Sequence, residues 1–422
     1  MSSSVSLLKH ANIFLKFTPF WFFLIFFKFG AGLHYTLVSP LGERILPLWI
    51  VGLIIGGGSV IQLILDVPAG HLMDRYGYLL FLKMATISFF MAGICFIFGI
   101  TPLTYFLSIF FSTFGWLFFG PAMTAYILTQ APKESAGKFI SLREVFTSLG
   151  IVFASGALPF VLLFPTTQMG YMLCFLLTIA FVLLFFSPQD RRSVHAEIKL
   201  STQHHYIRRH FLTTTLKAVT KLNPASFMLI LLSFSAAMFY GVIWFVVPLV
   251  IAHQASSGLL SVGLGMFDFS VVVLGFLLGN LADKINKRAL VFFGLLIFSV
   301  SGMLLGFNFG WLFLLFGFLS TTGDEMAEIS LWSWLHTLDR EHANDGVVAS
   351  VIAFFEDIGW AVGPMAAGIL YGLVGPSKAI VIGAVPIFVT WIVYQVVAHI
   401  RPWHMLRLIP APAKPHRSRH KK

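Results

Sequence analysis

Seven ionisable side chains interrupt the apolar stretches of this 422-residue sequence: Lys28, Asp268, Asp324, Glu325, Glu328, Glu356 and Asp357. An ionisable group at the centre of a membrane helix costs about 2.5–3.5 kcal/mol on insertion scales, so such groups mark paths for ions, protons or solutes. Asp324 and Glu328 are four apart and share a helix face. Two carboxyls stacked in a low dielectric repel, so one of them is expected to hold a proton, as a proton carrier would. The competing reading is a structural pair neutralised by Lys28 or Arg143. Glu356 and Asp357 are adjacent and point about 100° apart, and the deeper Glu356 is the better candidate. Lys28 would either bind an anionic solute group or balance the acids. Seven acids stand against it once Asp66 is added, which favours the balancing role and points toward a cationic solute or a proton.

The elements that hold these groups follow from composition. Hydrophobic residues make up 58% of the chain and charged residues 11%, against roughly 45–50% and 25% in soluble domains. So few charges cannot cover a soluble fold. The composition excludes a soluble enzyme, a disordered chain and a coiled coil, and the continuous apolar runs argue against a membrane barrel. Twelve helices are predicted, at 17–38, 45–66, 79–100, 104–130, 141–164, 170–187, 225–250, 261–281, 289–308, 311–336, 347–373 and 379–400. Breaks are expected at Ser39-Pro40, Thr101-Pro102, Pro132, Pro165, Ser187-Pro188, Asn223-Pro224 and Gly375-Pro376. At 1.5 Å per residue, Lys28 lies roughly 17 Å into helix 1, Glu356 roughly 14 Å into helix 11 and Asp324 roughly 20 Å into helix 10. All three are near mid-depth. Most of the 47 phenylalanines are expected to face lipid.

The net charge of +11 follows membrane topology rather than a nucleic-acid partner. Of 28 basic residues, only Arg44, Lys28 and Lys378 fall outside the segments assigned to one side, leaving 28 − 3 = 25 on that side. Both termini are therefore expected in the cytoplasm, with the chain in the plasma (inner) membrane. The division is 1–187 for a first six-helix half, 188–224 for a basic central loop, 225–400 for a second half and 401–422 for a basic tail. Leu212, Leu216 and Val219 lie on one face of a short amphipathic helix that could rest on the inner leaflet, although a solvated linker is the simpler reading. His204, His205 and His210 lack partner residues, and Cys95 and Cys174 lie in apolar runs, so no metal site, disulfide framework or cofactor is expected.

One internal repeat organises the chain. After helix 2 stand Asp66, Gly70, Asp74, Arg75 and Gly77, and after helix 8 stand Gly279, Asp283, Lys284 and Arg288. Gly70 to Gly279, Asp74 to Asp283 and Gly150 to Gly359 are each 209 residues. Two duplicated halves, the Gly-x-x-x-Asp-Arg-x-Gly motif, its degenerate copy and the topology together resemble the major facilitator superfamily of secondary transporters. The resemblance covers the whole chain.

It implies an all-α membrane protein of twelve transmembrane helices in two six-helix halves, with helices 1, 4, 7 and 10 lining a cavity. It also implies that Asp74 meets the start of helix 11 near Gly346–Val347 and that Asp283 meets the start of helix 5 near Ile140–Ser141, as gates on the cytoplasmic side. Tyr78 and Leu79 stand where the family usually carries basic residues, and Asn286 replaces the second glycine of the copy. Gly359, Gly363 and Pro364 on helix 11 are read as close helix packing and a kink. The function implied is alternating-access transport of a small solute, coupled to protons, by a monomer that is not an enzyme. Two alternatives remain. One is an intramembrane enzyme using Asp268 and Asp324; the other is a transporter-like sensor or assembly protein.

Overall fold

The computed structural model describes residues 16–130, 136–189, 224–253, 258–307, 310–338 and 345–400. These residues form twelve helices and, among them, no strand. The first six are α1 (Thr18–Glu43), α2 (Leu48–Tyr76), α3 (Tyr78–Ile97), α4 (Pro102–Gln130), α5 (Ala136–Val161) and α6 (Thr166–Phe185). The next four are α7 (Pro224–His253), α8 (Gly258–Lys284), α9 (Lys287–Leu305) and α10 (Trp311–Leu338). The stretch Asp345–Ile400 is broken once, at Gly375, where φ is 81°. We name its two parts α11 (345–374) and α12 (376–400). The central loop, the histidines at 204, 205 and 210, and the basic tail lie outside the described residues.

Helices alternate in direction, so one face of the bundle carries the start of α1 at Thr18 and the other carries its end at Glu43. Proline explains most boundaries. Pro102 and Pro224 open α4 and α7, where the missing N–H costs nothing, and Pro165 precedes α6. Four expected boundaries move by more than three residues, and two of them are starts: α5 opens at Ala136 rather than 141, and α6 at Thr166 rather than 170. α1 continues through Pro40 to Glu43, and α2 continues through Pro68 to Tyr76, carrying the motif residues in helix rather than in a loop. A proline inside a packed membrane helix is tolerated because neighbouring helices take up the freed carbonyl. Gly77, at φ 95°, is the residue that turns the chain from α2 into α3.

Among the described residues, ten helical stretches are long and apolar enough to cross a membrane, with Val351–Val397 counted as one. α10 is not among them, and it holds Asp324, Glu325 and Glu328.

Phenylalanine does not simply face outward. Phe20, Phe23, Phe27, Phe89 and Phe119 are fully buried, and Phe27 stacks on Phe119 with ring centroids 4.1 Å apart. Phe98, Phe160, Phe175 and Phe186 do lie on the outer surface. The aromatic core forms because α1 places Phe20, Phe23 and Phe27 on the stripe that meets α4.

Among the described residues, the main helix pairs joining the first six helices to the last six are α1 with α7, α2 with α11, and α5 with α8. Their tightest contacts sit toward the Glu43 face. A Cβ on Gly52 would come 2.3 Å from the Pro364 carbonyl oxygen, and one on Gly56 would come 2.3 Å from that of Ala361. Ser39 Oγ donates to the Phe245 carbonyl at 3.0 Å, and His253 Nε2 lies 2.7 Å from Glu43 Oε2.

Candidate functional site

Carboxyl groups of α8, α10 and α11 gather at mid-depth. Asp324 is nine-tenths buried, with 8% of its surface exposed. Its Oδ2 accepts a hydrogen bond from the Tyr240 hydroxyl of α7 at 2.8 Å, while its buried Oδ1 has no partner. The charges acting on it are Glu328, Glu325 and Glu356, all acidic. Glu328 Oε1 accepts from the Trp332 indole at 3.2 Å, and Glu356 accepts from the Trp360 indole. Asp268 and Glu328 act on Glu325. Glu356 itself is exposed.

The opposing wall, on α1, α4 and α5, supplies the cations. Lys28 Nζ stands 4.5 Å from the centre of the Trp116 ring and 5.2 Å from that of Phe119. Arg143 bonds to Glu144, and to Thr124 Oγ1 at 2.8 Å. Asp268 faces across from α8 to Ser148 on α5, and Lys28 is the cation acting on it. Neither cation neutralises Asp324 and Glu328. α1 and α5 face α8 at this level, so Lys28 answers Asp268 and Arg143 answers its own neighbour.

Glu356 and Asp357 diverge as adjacent helical residues must. Glu356 turns to the α10 acids. Asp357 turns to α2, where its carboxyl comes within hydrogen-bonding reach of Asp66. A hydrogen bond between the two carboxyls would require a proton between them, since an ionised carboxylate is acceptor-only. This second use of Asp357 was not expected, nor were Tyr240, Ser148 and Trp116. The signal for Trp116 was its place three residues before Phe119 on a helix already assigned to the cavity. A cavity of about 40 Å³ lies beside Trp116, among His34, Tyr35, Ser59 and Gln62, with room for about one water.

The motif residues occupy the Thr18-face end of α2. Asp74 Oδ1 accepts from the Tyr78 hydroxyl at 2.7 Å, and Arg75 lies over the Tyr76 ring at 5.3 Å. Gly70 is not a point of close helix approach, because a Cβ there would meet nothing within 4 Å. The side chains of Gly279, Asp283 and Lys284 and the surroundings of Gly346–Val347 lie outside the described residues. Asn286 caps α9 by accepting from the Arg288 backbone N–H at 3.0 Å. On α11, a Cβ at Gly359 or Gly363 would come 2.5 Å from carbonyl oxygens of Phe234 or Met238 on α7, and Pro364 packs against Gly241.

The repeat is exact at the level of contacts. A Cβ on Gly150 would meet the Ile25 carbonyl at 2.6 Å, Lys28 Cβ at 2.6 Å and the Phe29 nitrogen at 3.0 Å. A Cβ on Gly359 would meet the Phe234 carbonyl at 2.5 Å, Ala237 Cβ at 2.8 Å and the Met238 nitrogen at 2.9 Å. Each of these partners is 209 residues from its counterpart.

Known proteins carry the same architecture. The xylose transporter XylE from E. coli, in a partially occluded inward-open conformation, superposes with a TM-score of 0.66 at 15% identity, over 94% of this chain and 100% of that one. A D-xylose–proton symporter gives a TM-score of 0.65 at 14% identity, over 87% and 96% of the two chains. The nucleoside transporter NupG, solved as a point mutant, gives 0.65 at 12% identity, over 90% and 99%. At these identities the likeness shows the fold alone. No curated protein matches the chain. Residues 13–364 match the model of the Major Facilitator Superfamily, and this chain belongs to that superfamily, as a multi-pass membrane transporter and not an enzyme.

Proposed function

We propose that the protein is a proton-coupled secondary transporter of a small solute. Residues 1–187 and 225–400 would rock as two units about a central site, joined by the basic 188–224 loop and followed by the 401–422 tail. The Thr18 face is cytoplasmic on this reading, because 25 basic residues gather there, and the membrane is the plasma (inner) membrane. The protein acts as a monomer. Asp74, with Gly70, Arg75 and Gly77, and its counterpart Asp283, with Gly279, Lys284 and Arg288, gate that face.

The carrying observation is the acidic set Asp324, Glu325 and Glu328, with the exposed Glu356 beside it and no cation among the described charges acting on Asp324. Several unpaired carboxylates cannot all stay ionised away from water. Protons therefore occupy part of the set and leave when solute or solvent enters. Asp66 and Asp357 hold a further proton across the α2–α11 contact.

The test is flux in proteoliposomes carrying a panel of small solutes, with and without an imposed pH gradient. The reading expects one solute to accumulate only under the gradient. Accumulation independent of the gradient would remove the proton from the mechanism and leave facilitated transport.

A further inference from the structure

The 209-residue repeat puts Glu325 and Glu328 of α10 at the positions that Trp116 and Phe119 hold on α4. In the first half those two rings form the seat of a cation, the Lys28 ammonium, at 4.5 and 5.2 Å. In the second half the counterpart of Lys28 is Ala237. Its Cβ holds the same place against Gly359 that Lys28 Cβ holds against Gly150, to within 0.2 Å (2.8 against 2.6 Å). The counterpart of Phe27, which stacks on Phe119, is Ala236. The second half thus keeps the backbone of a cation seat and deletes both the chain's own ammonium and the phenyl ring beside it. It also replaces the two aromatic faces with two carboxyls.

A second observation marks the place independently. Asp324 adjoins Glu325, is nine-tenths buried, and leaves Oδ1 without a partner while Tyr240 holds Oδ2. Buried carboxylate oxygens are normally satisfied, and an orphaned one is a place where an incoming donor would be accepted.

We propose that Asp324, Glu325 and Glu328 receive the ammonium group of an organic-cation solute, as the second half's counterpart to the seat that Lys28 fills in the first. The assignment rests on the transport reading above and names its solute class. Lys28 is then a built-in occupant of one seat, and the solute is the exchangeable occupant of the other. The cation and the proton compete for the same carboxyls.

The test uses the full-length protein in lipid nanodiscs. Ala237→Lys supplies the missing ammonium from the chain itself, and Ala237→Met supplies the same bulk without charge. With Glu325 and Glu328 intact, Ala237→Lys should unfold at least about 2 °C above Ala237→Met. The gap should close when both glutamates become glutamine. Equal unfolding temperatures, or a lower one for lysine, would overturn the seat.

A second arm needs neither variant to fold. Methylammonium, choline and tetraethylammonium are each compared with an uncharged carbon isostere, for choline 3,3-dimethylbutan-1-ol, by thermal shift of the wild type and by uptake into proteoliposomes. At least one cation should half-saturate at a tenfold or lower concentration than its isostere, and Ala237→Lys should abolish that preference. Accumulation of a neutral or anionic solute that ignores all three cations overturns the cation assignment and leaves the transporter reading standing. No flux of any solute, with the lysine-over-methionine gap present, overturns the transporter reading and keeps the seat.

Discussion

Gly52→Ala should act as a wedge between the two sets of helices. The added methyl would stand 2.3 Å from the Pro364 carbonyl oxygen on α11, with the Gly368 Cα at 3.2 Å. Normal contact lies roughly 1 Å further out. Both near atoms are backbone, so no side chain can swing away, and α2 and α11 must separate by that amount. Overpacking of this kind costs about 1–3 kcal/mol. The cost falls only on the state in which this contact is closed, so the equilibrium shifts toward the open state by about 5- to 150-fold. Gly359→Ala makes the informative contrast. Its methyl would come 2.5 Å from the Phe234 carbonyl on α7, a contact that does not cross between the two sets. It should lower stability in every state and shift no population. The assay is the maleimide labelling rate of Ser59→Cys, whose native Oγ lies 3.4 Å from the Trp360 carbonyl across the same contact, in protein whose own Cys95 and Cys174 are buried. Faster labelling with Gly52→Ala and not with Gly359→Ala is expected. An unchanged rate in a folded Gly52→Ala protein would refute the idea that this contact closes the Glu43 face.

Asp324→Asn should abolish gradient-driven accumulation and raise the solute concentration that half-saturates exchange at equal pH; accumulation at the wild-type level would move the coupling role to Glu356. Trp116→Ala should destabilise the protein by about 0.5–2 kcal/mol more in the presence of Lys28 than in a Lys28→Met background, measured by a double-mutant cycle of unfolding temperatures; additive effects would mean the 4.5 Å contact carries no energy. Tyr78→Phe removes the donor to Asp74 at 2.7 Å, on an exposed face where a hydrogen bond to a charged group is worth at most about 1.5 kcal/mol; transport should slow by less than about tenfold, and a larger loss would show that this bond, rather than a contact with α11, sets the gate. Cysteines at Arg44 and Lys378, both exposed, should be labelled from outside intact cells, whereas one at Ser193 should not; labelling of Ser193 would invert the topology.

The helices, the duplication and the position of each buried charge along its helix were legible in the sequence because they depend on one chain segment at a time. Apolar run length gives a span, and a constant offset of 209 gives a repeat. Which helix faces which is a different kind of information. Nothing in α1 alone says that the Lys28 ammonium rests on Trp116 while Asp268 supplies the compensating charge. Glu356 and Asp357 were rightly separated by helical geometry. That Asp357 then finds Asp66 depends on the packing of α2 against α11. The break expected at Pro40 misled because proline is a strong breaker in water and a weak one inside a packed bundle. The acidic set on α10 was found by residue type alone, yet its meaning came from comparison with α4, where the matching positions are aromatic and already filled.

Gly375 gives α11 and α12 a one-residue corner at the Glu43 face, with φ at 81° and Pro376 directly after it. No slack chain separates the two helices, so α11 is pinned at that end and swings from it like a lever. The corner is 18 residues from Asp357 and seven from Gly368 (375 − 357 and 375 − 368), or about 27 Å and 10 Å along the axis. A tilt of about 10° would therefore carry Asp357 about 5 Å, enough to part it from Asp66, while Gly368 moves under about 2 Å. The same geometry runs in reverse. A methyl's width of spread near the pivot is magnified more than twofold at the acids, so small changes in packing beside the corner are read out where the protons sit.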